Sequence, residues 1–238
     1  MTTTGAAPTG AAPQHAGATG EGPTMRQRLR AQRALAGTAP AFDTEAAPPD
    51  PVELFTQWFV AAVEAGVPEP HVMSVATAGG DGVPGTRMVV LADVAGGCWS
   101  FATDARSRKA QDLTVNPQVE LGFWWQPLAR QVRVAGTARL LPELATAADF
   151  LARSPGSRAA ALGTRPGEPL VGAGVLAAAM VDARVRVDAE PDLVLPQWQV
   201  WLVEPSEVEF WQGDPGRAHT RLVYRRAGQD WSWGLVWP

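Results

Sequence analysis

His71-Val72-Met73-Ser74-Val75-Ala76-Thr77 and Gly85-Thr86-Arg87-Met88-Val89-Val90-Leu91 flank the cluster Gly79-Gly80-Asp81-Gly82. Two runs rich in β-branched residues separated by glycines that tolerate tight turns read as an antiparallel hairpin. The same alternation continues through residues 98–103, 118–125 and 130–141, with Ala95-Gly96-Gly97 as a further turn, and then through 197–211, 221–226 and 231–237. Strands outnumber helices, and no internal repeat is visible. The expected fold class is mainly β with peripheral helices (α+β), built as a small β-barrel.

Helices are predicted between these strands. Asp50-Pro51 is an N-cap followed by a proline in the first turn, and Val52, Leu54, Phe55, Trp58, Phe59, Ala62 and Val63 follow at helical spacing. A second helix is expected over 107–115, before Asn116-Pro117. A third starts near Pro142 and carries Leu144, Ala148 and Leu151 as its apolar positions, and a fourth covers 176–187. Residues 1–47 are rich in Ala, Gly, Thr and Pro and are expected to be largely disordered, apart from a basic stretch of helical propensity over 25–35. The folded domain is expected to span 48–238.

With 238 residues and 46% hydrophobic content, the chain can bury a substantial core. A net charge of −4 argues against bulk nucleic-acid binding and leaves room for local basic pockets. The one cysteine, Cys98, excludes an intrachain disulfide. No apolar run approaches the roughly 20 residues of a membrane span, and no signal region opens the chain, so a cytoplasmic protein is expected. No His/Cys/carboxylate spacing suggests a metal site. Most of the ten tryptophans read as core or subunit-interface material, including Trp124, Trp125, Trp231, Trp233 and Trp237, and Glu207-Val208-Glu209 reads as a solvated strand face.

Two cationic sets stand out. Arg87 lies on a predicted strand, while Ser107-Arg108-Lys109 opens a predicted helix, where unpaired N–H groups and the helix dipole favour an anion. Together they suit a phosphate, whose oxygens need more than one donor. Lys109 is the chain's only lysine, so a Schiff base would have to use it. No Walker or dinucleotide glycine loop is present. The second set is Arg217-Ala218-His219-Thr220-Arg221. If extended, this segment turns Arg217, His219 and Arg221 to one face, a surface suited to an anionic ligand. His219 is the preferred catalytic candidate among three histidines, since His15 lies in the tail and His71 opens a strand.

From about residue 50 to 238 the chain resembles the pyridoxamine 5′-phosphate oxidase family. The anchors, in order, are Gly66-Val67-Pro68-Glu69-Pro70, Arg87-Met88-Val89-Val90-Leu91, Ser107-Arg108-Lys109, Asn116-Pro117, Arg130-Gln131-Val132, Phe210-Trp211-Gln212-Gly213 and Arg217-Ala218-His219-Thr220-Arg221. The resemblance implies a split β-barrel that binds FMN across a homodimer interface. It places Arg87, Met88, Val89, Val90, Thr103, Arg108, Lys109, Gln131, Trp198 and Arg221 around FMN, with Arg87, Arg108 and Lys109 on its phosphate and Gln131 at the ring. It implies that Trp198 and Arg221 reach the flavin from the partner subunit. Arg217 and His219 would face the substrate as catalytic residues, and Arg153 and Ser157 match part of a substrate-phosphate site. Flavin would supply the hydride-accepting chemistry.

Departures from the family pattern narrow the substrate. Ala92 stands where the vitamin-pathway enzymes have a lysine that helps to neutralise the substrate phosphate, and Asp149 replaces a tyrosine. Pro166-Gly167 takes the place of a Gln-Ser pair, and the Phe-Tyr-Thr motif reads Phe101-Ala102-Thr103. These replacements resemble the FMN-dependent oxidases of phenazine biosynthesis, which act on reduced tricyclic carboxylic acids. The expected substrate is a small aromatic anion, a dihydrophenazine carboxylic acid or similar, with O2 as acceptor and hydrogen peroxide as product. The alternatives are a pyridoxamine/pyridoxine 5′-phosphate oxidase and a non-catalytic flavin-binding protein.

Overall fold

The computed structural model describes residues 22–35 and 39–238. The expectation of disorder over most of 1–47 lies in part outside the described residues, as does His15. The chain divides into two units, Met1–Ala34 and Leu35–Pro238. In the first, helix α1 (Met25–Arg30) is closed by a capping box, the Thr24 side chain accepting from the Gln27 backbone N–H while the Thr24 N–H donates to Gln27 Oε1.

The second unit begins its packing before residue 48. Phe42 meets Trp58 edge-on with centroids 4.9 Å apart, and Ala47 also packs against the core. Helix α2 (Pro51–Glu64) starts as its sequence dictates. Asp50 Oδ1 accepts from the Val52 N–H at 2.9 Å, Pro51 occupies the first turn, and Leu54, Phe55, Trp58 and Ala62 form the buried stripe. Phe55 lies at the centre of the core, with Phe123 at 5.0 Å, Trp99 at 5.5 Å and Trp125 at 6.1 Å.

A nine-stranded antiparallel sheet curls around this cluster in the order β2-β1-β5-β6-β7-β4-β3, with β8 and β9 branching from β7. Its strands are β1 (Val72–Ala78), β2 (Pro84–Val90), β3 (Asp93–Ala95), β4 (Cys98–Asp104), β5 (Gln118–Trp125), β6 (Arg130–Leu140), β7 (Trp198–Gln212), β8 (Thr220–Ala227) and β9 (Asp230–Leu235). The expected mainly β barrel is the observed architecture. Its divided form follows from β7, whose residues 198–203 pair with β4 while 207–212 pair with β8. A register shift between Ala135 and Gly136 marks the division on β6. A Cβ on Gly136 would lie 2.2 Å from the Glu204 carbonyl oxygen, so only glycine fits.

Helices α3 (Arg108–Val115), α4 (Glu143–Ala152), α5 (Pro155–Gly163) and α6 (Ala173–Ala189) lie outside the barrel. Helix α4 buries a face other than that of Leu144, Ala148 and Leu151. Thr146 and Phe150 are buried, whereas Leu144 is 88% exposed. The reason is Phe150, which packs on Trp198 at 5.4 Å and turns its own stripe inward. Helix α5 and the short β3 were not anticipated, although Ser154-Pro155 repeats the cap-and-proline start of α2. Trp125 is buried as expected, while Trp124 and Trp233 are about half exposed and Trp237 is exposed.

Truncating the central ring tests this account. Phe55→Ala is expected to lower unfolding free energy by about 3–5 kcal/mol, because four aromatic neighbours lose a shared contact. Urea denaturation followed by tryptophan fluorescence measures it.

Candidate functional site

The first cationic set assembles where β1, β2, β4 and the start of α3 meet. Arg87 donates from Nη1 to the Val75 carbonyl at 3.1 Å and to Thr77 Oγ1 at 2.8 Å. Thr77 donates in turn to Asp112 Oδ2 at 2.7 Å, and Asp112 lies 3.9 Å from Arg87 and 3.8 Å from Arg108. Lys109 Nζ donates to Thr103 Oγ1 at 2.8 Å and Ser107 Oγ at 3.2 Å, so both partners are neutral hydroxyls. Burial, and secondarily the neighbouring Arg87 charge, pull the Lys109 ammonium below the ordinary lysine range. Burial also lowers Arg87. Arg87 and Arg108 share Asp112, Lys109 feels the Asp104 charge without a direct ion pair, and these three cations at a helix N-terminus form a site whose charge an incoming phosphate would balance.

The outer face of the sheet carries a second constellation. Trp124, Gln131, Trp211 and Arg221 are direct cross-strand neighbours along β5, β6, β7 and β8. Gln131 pairs with Trp124 on one side and Trp211 on the other, and the two indole rings approach to 6.1 Å. Arg221 donates to Glu209 Oε2 at 2.5 Å and to the Trp237 carbonyl at 2.9 Å. Glu209 is only 4% exposed and also lies 3.7 Å from Arg133, which itself forks onto Glu120 at 2.7 and 2.9 Å. The expectation that Glu207-Val208-Glu209 forms a solvated face is therefore corrected, because Glu209 sits between two guanidinium groups.

The segment that follows is not extended. Strand β8 begins only at Thr220, and Arg217 adopts a left-handed φ of 69°, so the alternation expected for Arg217, His219 and Arg221 is broken by a loop. The loop places His219 on the Trp211 ring, with centroids 4.9 Å apart. Asp214 donates its backbone N–H to His219 Nδ1 at 3.0 Å. Arg217 is exposed.

A third group gathers beside α4. Trp198 donates its indole N–H to Asp149 Oδ2 at 2.8 Å, and the Arg153 guanidinium lies over the Trp198 ring at 4.7 Å. Ser157 is exposed and shares a hydrogen bond of 2.9 Å with Ser154. Asp149 and Ala92 line the same cavity of about 580 Å³, together with Asp93, Cys98, Ser100 and Arg139. Arg139 is itself paired with Glu204. Burial raises the Cys98 thiol above its ordinary range, and Glu204 adds to the effect.

Arg87, Thr103, Arg108 and Lys109 thus come together, as do Gln131, Arg221 and His219. Met88 and Val90 are exposed on β2 while Val89 packs inward. Trp198 and Arg221 do not meet, for Trp198 opens β7 opposite Asp104 while Arg221 pairs at the far end with Trp211. Trp211, part of the anchor Phe210-Trp211-Gln212-Gly213, is a further residue of this row, and its alternation with Glu209 is the sequence signal that sets both on one face of β7. Among the described residues, no three His, Cys, Asp or Glu side chains group to hold a metal, and no helix is long and apolar enough to cross a membrane.

Lys109→Met separates stability from anion affinity. A lowered lysine pKa means that the unfolded chain holds the proton more tightly, so the penalty is full at low pH and fades as pH rises toward 10.5. The ligand-free variant is expected to unfold at equal or higher urea concentration than the parent at neutral pH, with the difference shrinking in alkali. Its affinity for inorganic phosphate, measured calorimetrically, is expected to fall by about tenfold or more.

Comparison with known proteins accords with this arrangement. Residues 59–212 match the pyridoxamine 5′-phosphate oxidase family, and residues 198–238 match the pyridoxine 5′-phosphate oxidase C-terminal dimerisation region. A pyridoxine/pyridoxamine 5′-phosphate oxidase of Thermosynechococcus vestitus is 37% identical over 90% of this chain and 97% of its own. One from Rubrobacter xylanophilus is 37% identical over 84% and 95%. Among solved structures, PhzG from Burkholderia lata, in complex with tetrahydrophenazine-1-carboxylic acid, superposes with a TM-score of 0.78 at 26% identity, covering 85% of this chain and all, 100%, of that one. A pyridoxamine 5′-phosphate oxidase-related, FMN binding protein of Nostoc punctiforme shares the fold, with a TM-score of 0.64 at 22% identity over 77% of this chain and 97% of its own. The split barrel, the phosphate-suited clamp and these matches place the chain in the pyridoxamine 5′-phosphate oxidase family, whose members are FMN-dependent oxidases.

Proposed function

We propose that this chain is a cytoplasmic FMN-dependent oxidase of secondary metabolism that oxidises a reduced phenazine-type carboxylic acid, working as a homodimer with FMN at the subunit interface. The observation that carries the substrate reading is the cavity shared by Ala92 and Asp149. A phosphate dianion there would meet a carboxylate held in place by the Trp198 N–H and would lack a lysine. Arg139, the cation of that cavity, is already paired with Glu204. A flat aromatic monocarboxylate, with one negative charge in place of nearly two, lessens this conflict. The PhzG structural relative, with its tetrahydrophenazine ligand, supports the same direction.

The residues present fit FMN. Arg87, Arg108 and Lys109 would hold its phosphate with Thr103 alongside, since Lys109 is otherwise hydrogen-bonded only to hydroxyls. Gln131, the cross-strand neighbour of Trp124 and Trp211, would hydrogen-bond the ring edge, and the exposed side chains of Met88 and Val90 with the backbone of Val89 would line it. Arg221 would approach from the partner subunit, with Trp211 in the position the resemblance gave to Trp198. When bound, FMN supplies hydride acceptance and passes the electrons to O2. The chain's own groups orient the substrate, Arg217 toward its carboxylate and His219 beside it, with Arg153 and Ser157 at the outer end. The matched dimerisation region contains Trp211, Arg217, His219 and Arg221, which supports a site completed across subunits.

A second reading, pyridoxamine/pyridoxine 5′-phosphate oxidase, is favoured by the names of the curated relatives. Anaerobic mixing of the FMN-loaded protein with either reduced phenazine carboxylic acid or pyridoxamine 5′-phosphate decides between them. Rapid flavin bleaching by the phenazine alone is expected; bleaching by the phosphate ester alone overturns the proposal. Ala92→Lys combined with Asp149→Asn is expected to lower KM for pyridoxamine 5′-phosphate by about tenfold, as one cation is gained and one anion lost. Arg87→Ala is expected to weaken FMN binding by about 1.5–3 kcal/mol, the value of a charge-assisted hydrogen bond, in a fluorescence-quenching titration.

A further inference from the structure

The loop between β7 and β8 is organised by one residue. Asp214 bonds at three of its atoms across the segment that presents Arg217 and His219. Its carbonyl oxygen accepts from the Arg217 N–H at 2.9 Å, its Oδ1 from the Ala218 N–H at 3.3 Å, and its own N–H donates to His219 Nδ1 at 3.0 Å. The preceding residue is fixed as well, because the Gly213 N–H donates to the Ala129 carbonyl at 2.7 Å and Gln212 Nε2 reaches the Leu128 carbonyl at 3.0 Å. Asp214 therefore stands on a rigid strand end and holds a loop that contains the left-handed Arg217.

In a neutral imidazole one nitrogen donates and the other accepts, and the partner of one decides the state of the other. Since Nδ1 accepts from a backbone N–H, the proton must reside on Nε2. Trp211 fixes the plane of the ring from one side. We propose that Asp214 is a positioning residue that holds His219 as its Nε2–H tautomer, so that His219 serves the reaction as a hydrogen-bond donor rather than as a base. Its ligand is then an acceptor atom, such as a carboxylate or carbonyl oxygen or an unprotonated ring nitrogen, and the oxidation draws on His219 for orientation and charge stabilisation. The Asp214 carboxylate acts at one remove, by tying Ala218 so that the His219 ring stays in reach of the Asp214 N–H. This inference rests on the proposed placement of His219 at the substrate.

The test uses FMN-loaded holoenzyme labelled with 15N-histidine, with the His219 signals assigned by their loss in His219→Gln. Long-range proton–nitrogen correlation is expected to show the neutral ring as Nε2–H in the parent and in Asp214→Asn, which keeps the side-chain acceptor. In Asp214→Ala the two tautomers are expected to mix, and kcat to fall by about 10- to 100-fold from misplacement of the ring, with FMN affinity unchanged and activity restored by asparagine. A parent spectrum dominated by Nδ1–H overturns the proposal, as does Asp214→Ala with parental tautomer and kcat. Full turnover by His219→Gln removes His219 from the reaction and overturns the functional half. Failure of every reduced aromatic carboxylate to bleach the flavin counts against the substrate reading instead, and the tautomer result still decides the role of Asp214.

Discussion

The ladder between β6 and β7 is the constraint on which the rest of the structure depends. β7 is long enough to serve two partners on one edge, and the shift at Gly136 lets its halves diverge toward β4 and toward β8. The Glu204 carbonyl lies against Gly136, and Pro205, which has no N–H to pair, sits at the same point. The division has a functional meaning. One half of β7 leads to the α4 cavity and the Asp149 carboxylate, the other to the row of Trp124, Gln131, Trp211 and Arg221.

The two arginine-bearing regions are alike in composition and opposite in electrostatics. Around Lys109 the cations outnumber the acids, burial disfavours the ammonium, and the surplus is what an anionic ligand would neutralise. Around Arg221 the acids match the cations, with Glu209 between Arg133 and Arg221 and Glu120 on the far side of Arg133. A buried carboxylate between two guanidinium groups is tolerable only while both remain, so this network contributes to geometry more than to net stability. It also ties Arg221 to the chain's terminal turn through the Trp237 carbonyl.

Strands and the start of α2 were legible because alternation, glycine turns and an Asp-Pro cap are local signals. The clustering of Arg87 with Arg108 and Lys109 was legible for a similar reason, as Ser107-Arg108-Lys109 opens a helix and Arg87 lies on a neighbouring strand. The face of α4 was not, because Leu144 and Leu151 compete with Phe150, and only the position of Trp198 decides between them. Nor was the burial of Glu209, which depends on a register pairing it with Val223 and setting Arg133 and Arg221 on either side. The loop bearing His219 read as extended because the left-handed conformation of Arg217 leaves no mark in composition.

Cys98 adds a chemical consequence. Under the proposed reaction hydrogen peroxide forms next to the protein that makes it, and the chain's only thiol lines the cavity proposed for substrate. Peroxide attacks the thiolate, and burial together with Glu204 keeps this sulfur protonated. With no second cysteine to form a disulfide, a sulfenic acid here would have no resolving partner in the chain. Held as a thiol, the sulfur would react more slowly with the peroxide that the proposed reaction releases.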